Sequence, residues 1–289
     1  MKKLVVLSSL LFIFNASFAD DTANLPNAGF FAGLGGTYNS MNIERDLDAA
    51  GISDVYLTNG PFQASGEAGG PATDYKSSQS TLAPGLQLGY FRHFPNSSLV
   101  WGAKFSYEYL GITDTDNAVN VPQAGNFTNN GQATNFTGHV VVGSIQATLN
   151  HQLALMPFIG QSFKNSYVYF GAGPELFDIQ TKINNTTGYA DLNGVHTNIT
   201  GSSANFSDDN WEVGGGAQVG VNYYFDPTWS LDLNYSYAMV NYTIHDNGGF
   251  SNTSISGGTS YTTVGTLYFK NDQTVAVQSV MLSINKLFA

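Results

Sequence analysis

Apolar and polar residues alternate with a period of two from Trp211 to Met239. In the first arm Trp211, Val213, Gly215, Ala217, Val219, Val221, Tyr223 and Phe225 share one face. Glu212, Gly214, Gly216, Gln218, Gly220, Asn222 and Tyr224 share the other. A period of two is the mark of a strand. After the short turn Asp226-Pro227-Thr228, a second arm sets Trp229, Leu231, Leu233, Tyr235, Tyr237 and Met239 against Ser230, Asp232, Asn234, Ser236 and Ala238. Both arms exceed the ~5 to 6 residues usual in soluble sheets and reach the ~9 to 11 tilted residues that cross a bilayer. The apolar face ends in aromatics, and the other face carries Gly, Ser, Asn and acids. A soluble barrel would have the opposite polarity, with its apolar side chains inside.

The same alternation predicts strands over residues 29–41, 81–94, 99–109, 136–155 and 167–176, and a last one over 280–288. The fourth is irregular: Val141, Ile145, Leu149, Leu153 and Leu155 fall on one face, Val140 and Val142 on the other. Pro174 stands inside the fifth, where it removes a ladder donor. The turn after the fourth strand is expected over Pro157 to Asn165. Polar segments at 42–78, 113–135, 183–208 and 243–270 alternate with short turns such as Pro95 to Ser98. Long and short connections in alternation describe a closed antiparallel eight-stranded up-and-down transmembrane β-barrel. Weak alternation over Tyr261 to Phe269 leaves open a ten-stranded version with one extra hairpin.

The chain opens with Lys2 and Lys3, an apolar run from Leu4 to Phe14 and the small-residue site Ser17-Phe18-Ala19. This is the pattern of a cleaved secretory signal peptide over residues 1–19. One barrel domain, 20–289, is expected after it, since no linker or composition shift divides the remainder. The net charge is −11, and losing Lys2 and Lys3 makes it more negative, which excludes nucleic acid as a natural partner. There is no cysteine, so an exported chain must be stable without disulfides. No other stretch is apolar enough for a spanning helix, and a closed barrel is the remaining way through a membrane.

The segments Phe225-Asp226-Pro227-Thr228-Trp229-Ser230-Leu231-Asp232-Leu233-Asn234-Tyr235-Ser236-Tyr237 and Val280-Met281-Leu282-Ser283-Ile284-Asn285-Lys286-Leu287-Phe288 resemble the small bacterial outer-membrane β-barrel family that includes the OmpA transmembrane domain and OmpX. The resemblance implies an outer-membrane location with both termini periplasmic and the long segments outside. It implies contact with outer-membrane lipids and lipopolysaccharide. It also implies that the barrel assembly machinery reads a terminal aromatic, here Phe288, although Ala289 follows it and Lys286 stands two residues before it.

By strand parity Lys104, Glu108, Glu175, Glu212 and Asp232 point into the lumen, Lys104 and Asp232 lower than the other three. These charges either satisfy one another or line a cation site or narrow path. A barrel of eight strands is filled by its own side chains, so a general porin is not expected. His93, His139, His151, His196 and His245 show no metal-ligand spacing, and the glycine runs 33–36 and 214–216 lack the Gly-Lys-Ser/Thr of a phosphate loop. No catalytic, cofactor or metal site follows from these motifs. Glycine is expected instead to make room for inward Phe91, Tyr167 and Tyr169. The first polar segment gathers Glu44, Asp46, Asp48, Asp54, Glu67 and Asp74 without the spacing of a calcium loop.

The expected function is a non-enzymatic surface barrel serving envelope structure or contact with a host or surface through its outer loops. The alternatives are a narrow channel or transporter for ions or small apolar molecules and an outer-membrane enzyme. The enzyme would need His139 or the pair His245-Asp246.

Overall fold

In the computed structural model, described over residues 26–192 and 194–288, antiparallel strands follow one another with no helix between them. They are β1 (Ala28–Leu57), β2 (Phe62–Pro71), β3 (Tyr75–His93), β4 (Leu99–Asn129), β5 (Gln132–Ser162), β6 (Ser166–Leu192), β7 (Val195–Asn198), β8 (Ala204–Asp226), β9 (Trp229–Ser256) and β10 (Thr259–Phe288). Eight of them close a ring in the order β1, β3, β4, β5, β6, β8, β9, β10 and back to β1. The closing pair runs from Phe30↔Phe288 to Leu57↔Tyr261. Short β2 is inserted above β3 against β1 and β4, and β7 is a flap on β6. The barrel therefore has eight strands, and Tyr261 to Phe269 is the upper part of β10, paired to both β1 and β9. The signal segment 1–19 lies outside the described residues.

An apolar belt encircles the outside near the short-turn end. On β9 its exposed members are Trp229, Leu231, Leu233, Tyr235, Tyr237 and Met239, while Ser230, Asp232 and Asn234 are buried inside. Phe30, Leu34 and Tyr38 on β1, Trp101, Phe105 and Tyr109 on β4, and Val280, Leu282, Ile284 and Phe288 on β10 continue it. Aromatics fall at both margins, as at the two faces of a bilayer.

The four polar segments expected as loops are largely strand. β4 is 31 residues long, which at ~3.3 Å per residue and ~40° of tilt rises roughly 80 Å, far beyond an apolar band ~25 Å tall. Above the belt the inward positions stay inward but change chemistry. On β1 Met41, Ile43, Leu47 and Ala49 are buried, whereas Glu44, Asp46 and Asp48 face out. The upper part is thus a soluble-type barrel on top of a membrane-type one. Two of its hairpins close on two-residue turns, Asn130-Gly131 with φ of 49° and 76° and Gly257-Gly258 with φ of 57° and 80°, the conformation that such tight turns require.

Two expectations about β5 are corrected. The strand begins at Gln132 and continues through Pro157 to Ser162, so the turn is confined to 163–165. Pro157 is tolerated because it and Pro174 occupy the same break in the β5–β6 ladder, between Ala154↔Glu175 and Phe158↔Gly171. Neither proline is asked for a donor there. The irregular alternation has its own cause. Val140 and Val142 are buried, then Ile145, Ala147 and Leu149, then Gln152, Ala154 and Met156, so the inward face shifts phase twice. The second shift is a register change between Leu149 and His151, and a bulge moves the alternation by one residue.

Candidate functional site

From the short-turn end upward, the lumen is filled layer by layer. The first layer is aromatic: Phe31, Phe91, Phe158, Tyr167, Tyr169 and Tyr224 pack with Val100 and Leu287. Phe158 and Tyr167 stack at 6.2 Å and 3°, and Tyr167 meets Phe91 at 5.8 Å and Tyr224 at 6.3 Å.

The charged layer lies on top of it. Lys104 Nζ donates to Tyr169 Oη at 2.7 Å and stands 3.7 Å from Asp232 Oδ1. Tyr169 Oη in turn donates to Asp232, 3.0 and 2.9 Å from its two oxygens, and Asn234 Nδ2 donates to Oδ1 at 2.8 Å. Lys104, Tyr169 and Asp232 thus make one buried triad, with Lys104 and Asp232 at the same height. Gly220 leaves the space the Tyr169 hydroxyl occupies, since a Cβ there would stand 2.5 Å from it.

Of the other inward acids, Glu175 accepts from Gln152 Nε2 at 2.5 Å. Glu108 is buried but its Oε2 has no hydrogen-bond partner among the described residues, and it makes no ion pair with Lys104. Glu212, only half-buried and opposite Phe177, stands apart from the triad. Gln87 completes the lower polar layer by donating to Ser283 Oγ and Asn285 Oδ1, each at 2.6 Å. Phe288 sits at the closing seam against Phe30, pointing out into the belt.

Above an apolar middle layer that includes Met41, Ile43, Leu149, Phe177, Val240 and Val277, a second polar group appears that strand parity of the lower barrel did not reveal. Arg45 is buried, 3.8 Å from Asp114 and 3.4 Å from Asp116, with its guanidinium 4.7 Å from the centre of the Tyr75 ring. Burial lifts the Asp116 carboxyl above its ordinary value, Arg45 opposes that, and Asp114 adds to it.

This group marks a break in the wall. β3 pairs with β4 only from Gly85↔Glu108 down to His93↔Val100, and β2 pairs with β4 only from Gly69↔Ala124 upward. Between them, β4 from Tyr109 to Gln123 has no backbone partner on that side among the described residues. Pro84 and Pro122 stand near the two ends, where a missing donor costs least. Side chains cross the break in place of the ladder: Tyr75 Oη donates to Asp114 Oδ1 at 3.4 Å and Gln79 Nε2 to the same oxygen at 3.3 Å. The break starts at the upper edge of the belt, beside exposed Leu82 and Tyr109.

Higher still, an apolar cluster of Leu47, Ala49, Val121, Val140, Ile183, Phe206 and Leu267 leads to a cavity of ≈ 130 Å³. Ile52, Val55, Phe127, Phe136, Phe250 and Leu267 are among its walls, with Gln123 at the level of the break. A largely apolar cavity of about this size has room for a benzene-sized ring. Of the acids of the first segment, Glu67 is among its walls. Glu44, Asp46 and Asp48 lie along the outer face of β1, with Glu44 paired to Lys76. His245 is exposed opposite Lys270 on β10. His139 lies on the outer face of β5, where Tyr189 and His196 stack on it.

No protein-family model and no curated protein sequence matches this chain. Among solved structures it is similar to the outer membrane protein OprG from Pseudomonas aeruginosa, at 11% identity and TM-score 0.37 over 92% of this chain and 98% of that one. It is also similar to Ail, the attachment invasion locus protein of Yersinia pestis, at 13% identity and TM-score 0.29 over 88% and 99%. Neisserial surface protein A matches at 12% identity and TM-score 0.28 over 85% and 97%. The closed ring of strand pairs establishes the barrel independently of these likenesses.

Proposed function

We propose that this chain is an outer-membrane barrel that captures small apolar molecules from outside the cell and delivers them sideways through the wall, without forming an open pore. The tall end then faces outward and the short turns face the periplasm. The observation that carries the reading is the apolar cavity above the membrane belt, whose wall includes Gln123 at the upper end of the break between β3 and β4. Straight passage is blocked twice, by the Arg45 group and by the Lys104 triad with its aromatic floor. An apolar solute gains by leaving at the level of the lipid and would lose by entering the charged layer. No reaction is asked of the site, so the reading is non-enzymatic.

A direct test measures binding of benzene or naphthalene to the protein in detergent, together with single-channel conductance in planar bilayers. The expected result is saturable binding that is lost in Val140→Phe, which fills the cavity, with no ion conductance above background. Stable open-channel currents, or binding unchanged by Val140→Phe, would sink the proposal.

Contact with a host or a surface is a second reading, favoured by the height of the wall and by exposed apolar tips. Phe62 begins β2, Val195 begins β7 and Ile255 lies beside the β9–β10 turn, all exposed. Triple replacement of these tips by Ser should abolish attachment to host cells if that reading holds, and should leave naphthalene binding untouched.

A further inference from the structure

On the outer face of the upper wall, three strands bring together residues far from one another in the chain or on successive strands. Tyr189 of β6 faces His139 of β5, Asp191 of β6 faces His196 of β7, and His139 is the diagonal neighbour of Asp191, whose partner on β5 is Thr137. Diagonal neighbours on one face of a sheet are within side-chain reach. The potential donor atoms of His139, Asp191 and His196 all lie within 4.8 Å of one another. His196 Nδ1 is 2.8 Å from Asp191 Oδ1, so the carboxylate fixes the orientation of one ring. The rings of His139, His196 and Tyr189 lie nearly parallel, with centroids 4.9 Å apart for His139–His196, 5.2 Å for His139–Tyr189 and 4.7 Å for Tyr189–His196. Tyr189 therefore stacks on both imidazoles.

We infer that His139, Asp191 and His196 form a binding site for a divalent transition metal of the zinc class. Two imidazoles and one carboxylate are a zinc ligand set that leaves a position for water. Nitrogen donors favour zinc, nickel or copper over magnesium and calcium, which take oxygen. Neighbouring donors on four-coordinate zinc stand about 3.3 Å apart, so the stacked rings must turn as well as close to aim both nitrogens at one ion, a movement open to exposed His196. The carboxylate beside His196 offsets the charge of the bound ion. Aromatic stacking alone would account for the rings but not for a carboxylate oxygen within 4.8 Å of a nitrogen of each.

The site has a mechanical consequence. β7 is a four-residue strand whose backbone ladder, among the described residues, is with β6, with Asn252 Nδ2 donating to Asn198 O at 3.0 Å, and a metal bridging His196 to His139 would tie it across β6 to β5. The β6–β7 turn and the chain from Ile199 to Ser203 would be held against the wall by the ion. His139, Tyr189 and Ile199 also border the apolar cavity, so the same ion would stiffen one side of its mouth. The inference stands whether or not the cavity takes apolar ligands, because the donors face outward from the wall.

The test uses the full, untagged chain refolded in detergent, stripped with a chelator and titrated with Zn²⁺ by calorimetry. One ion per chain is expected, with affinity falling at least tenfold in His139→Ala and in His196→Ala. His151→Ala, a change on another part of β5, should leave it unchanged. Bound zinc should slow protease cleavage between β6 and β8 in wild type and not in the double His139→Ala/His196→Ala variant. Cu²⁺ on the wild-type protein should show hyperfine coupling to two imidazole nitrogens, a readout that needs no variant to fold. Failure of the wild type to bind zinc below millimolar concentration, unchanged affinity in the double variant, or copper coupled to fewer than two imidazoles each overturns the assignment.

Discussion

Lys104 is the basic member of the lower charged layer, and replacing it by Met keeps the stem while removing the charge. In wild type its ammonium is 2.7 Å from the Tyr169 hydroxyl and 3.7 Å from Asp232, with both charged side chains almost fully buried. At that ion-pair distance Coulomb attraction is roughly 4 to 5 kcal/mol for an effective dielectric constant near 20. The carboxylate keeps its hydrogen bonds from Tyr169 and Asn234 after the change, which returns part of that loss. Breaking a buried pair by removing one partner costs about 3 to 5 kcal/mol, and the lower end applies here. Urea unfolding in lipid vesicles, followed by the fluorescence of belt residues Trp101, Trp211 and Trp229, would measure it. The double variant Lys104→Met/Asp232→Asn removes the stranded charge and should recover about half of the loss. If Lys104→Met unfolds at the wild-type urea concentration, or the double variant is no more stable than the single one, the triad is not a coupled unit.

Membrane facing is tested by Leu233→Arg, which places a charge on the exposed belt and should cost about 2 to 4 kcal/mol, against Asn234→Arg on the buried face next door; equal unfolding penalties with no effect on the triad would mean the facing is wrong. Across the wall break, joining Gln79→Cys to Asp114→Cys with a short bis-maleimide should leave naphthalene binding intact while slowing its transfer into vesicle lipid, and one common transfer rate before and after cross-linking would remove the lateral route. In the turn after β8, the Thr228 backbone N–H and hydroxyl both donate to Asp226, at 2.9 and 2.8 Å, and hold its carboxyl below the ordinary value. Its folded value is below its unfolded one, so its stabilising effect is present above the unfolded value near 3.8 and is lost as pH falls through the depressed folded value. The stability difference between wild type and Asp226→Asn should therefore be larger at pH 7 than at pH 2, and a difference independent of pH would show that the turn owes nothing to the charge.

The belt half of the barrel is legible because strands such as β1, β4, β9 and β10 set apolar residues outward against mostly Gly, Ser, Asn and charged residues inward. The upper half looks like loop in the sequence for a physical reason. From Asn42 onward the inward positions of β1 become apolar and the outward ones acidic, so a search for one polarity finds the alternation fading just where it inverts. The signals were present: Asn130-Gly131 and Gly257-Gly258 are turn dipeptides between alternating runs, and Ile43, Leu47 and Ala49 keep the period across Glu44, Asp46 and Asp48. Pro157 misled in the other direction, because a proline ends a strand only when its neighbour needs a donor there, and here its neighbour strand carries Pro174 at the same break.

Inward direction was legible one residue at a time, whereas partnership was not. Parity along β4 and β9 puts Lys104 and Asp232 inside at one height, and gives Tyr169 only as inward bulk. Its hydroxyl becomes the bridge because barrel closure sets β4, β6 and β9 around one narrow lumen, a relation that no linear spacing contains. Arg45 shows the same limit more sharply. Its parity was readable, but a polar segment offers no reason to bury a guanidinium until Asp114 and Asp116 arrive from another strand. The β3–β4 ladder is absent beside these groups, as the β8–β9 ladder is above Gly215↔Met239, and here Tyr75, Gln79 and Asp114 do with side chains what backbone does where a ladder continues. Side-chain bonds across a seam can be exchanged without unzipping a strand, since each is worth about 1 kcal/mol and none depends on the register of the next. A break latched in this way can open over a few residues while the strands on either side of it, paired along their other edges, stay in place.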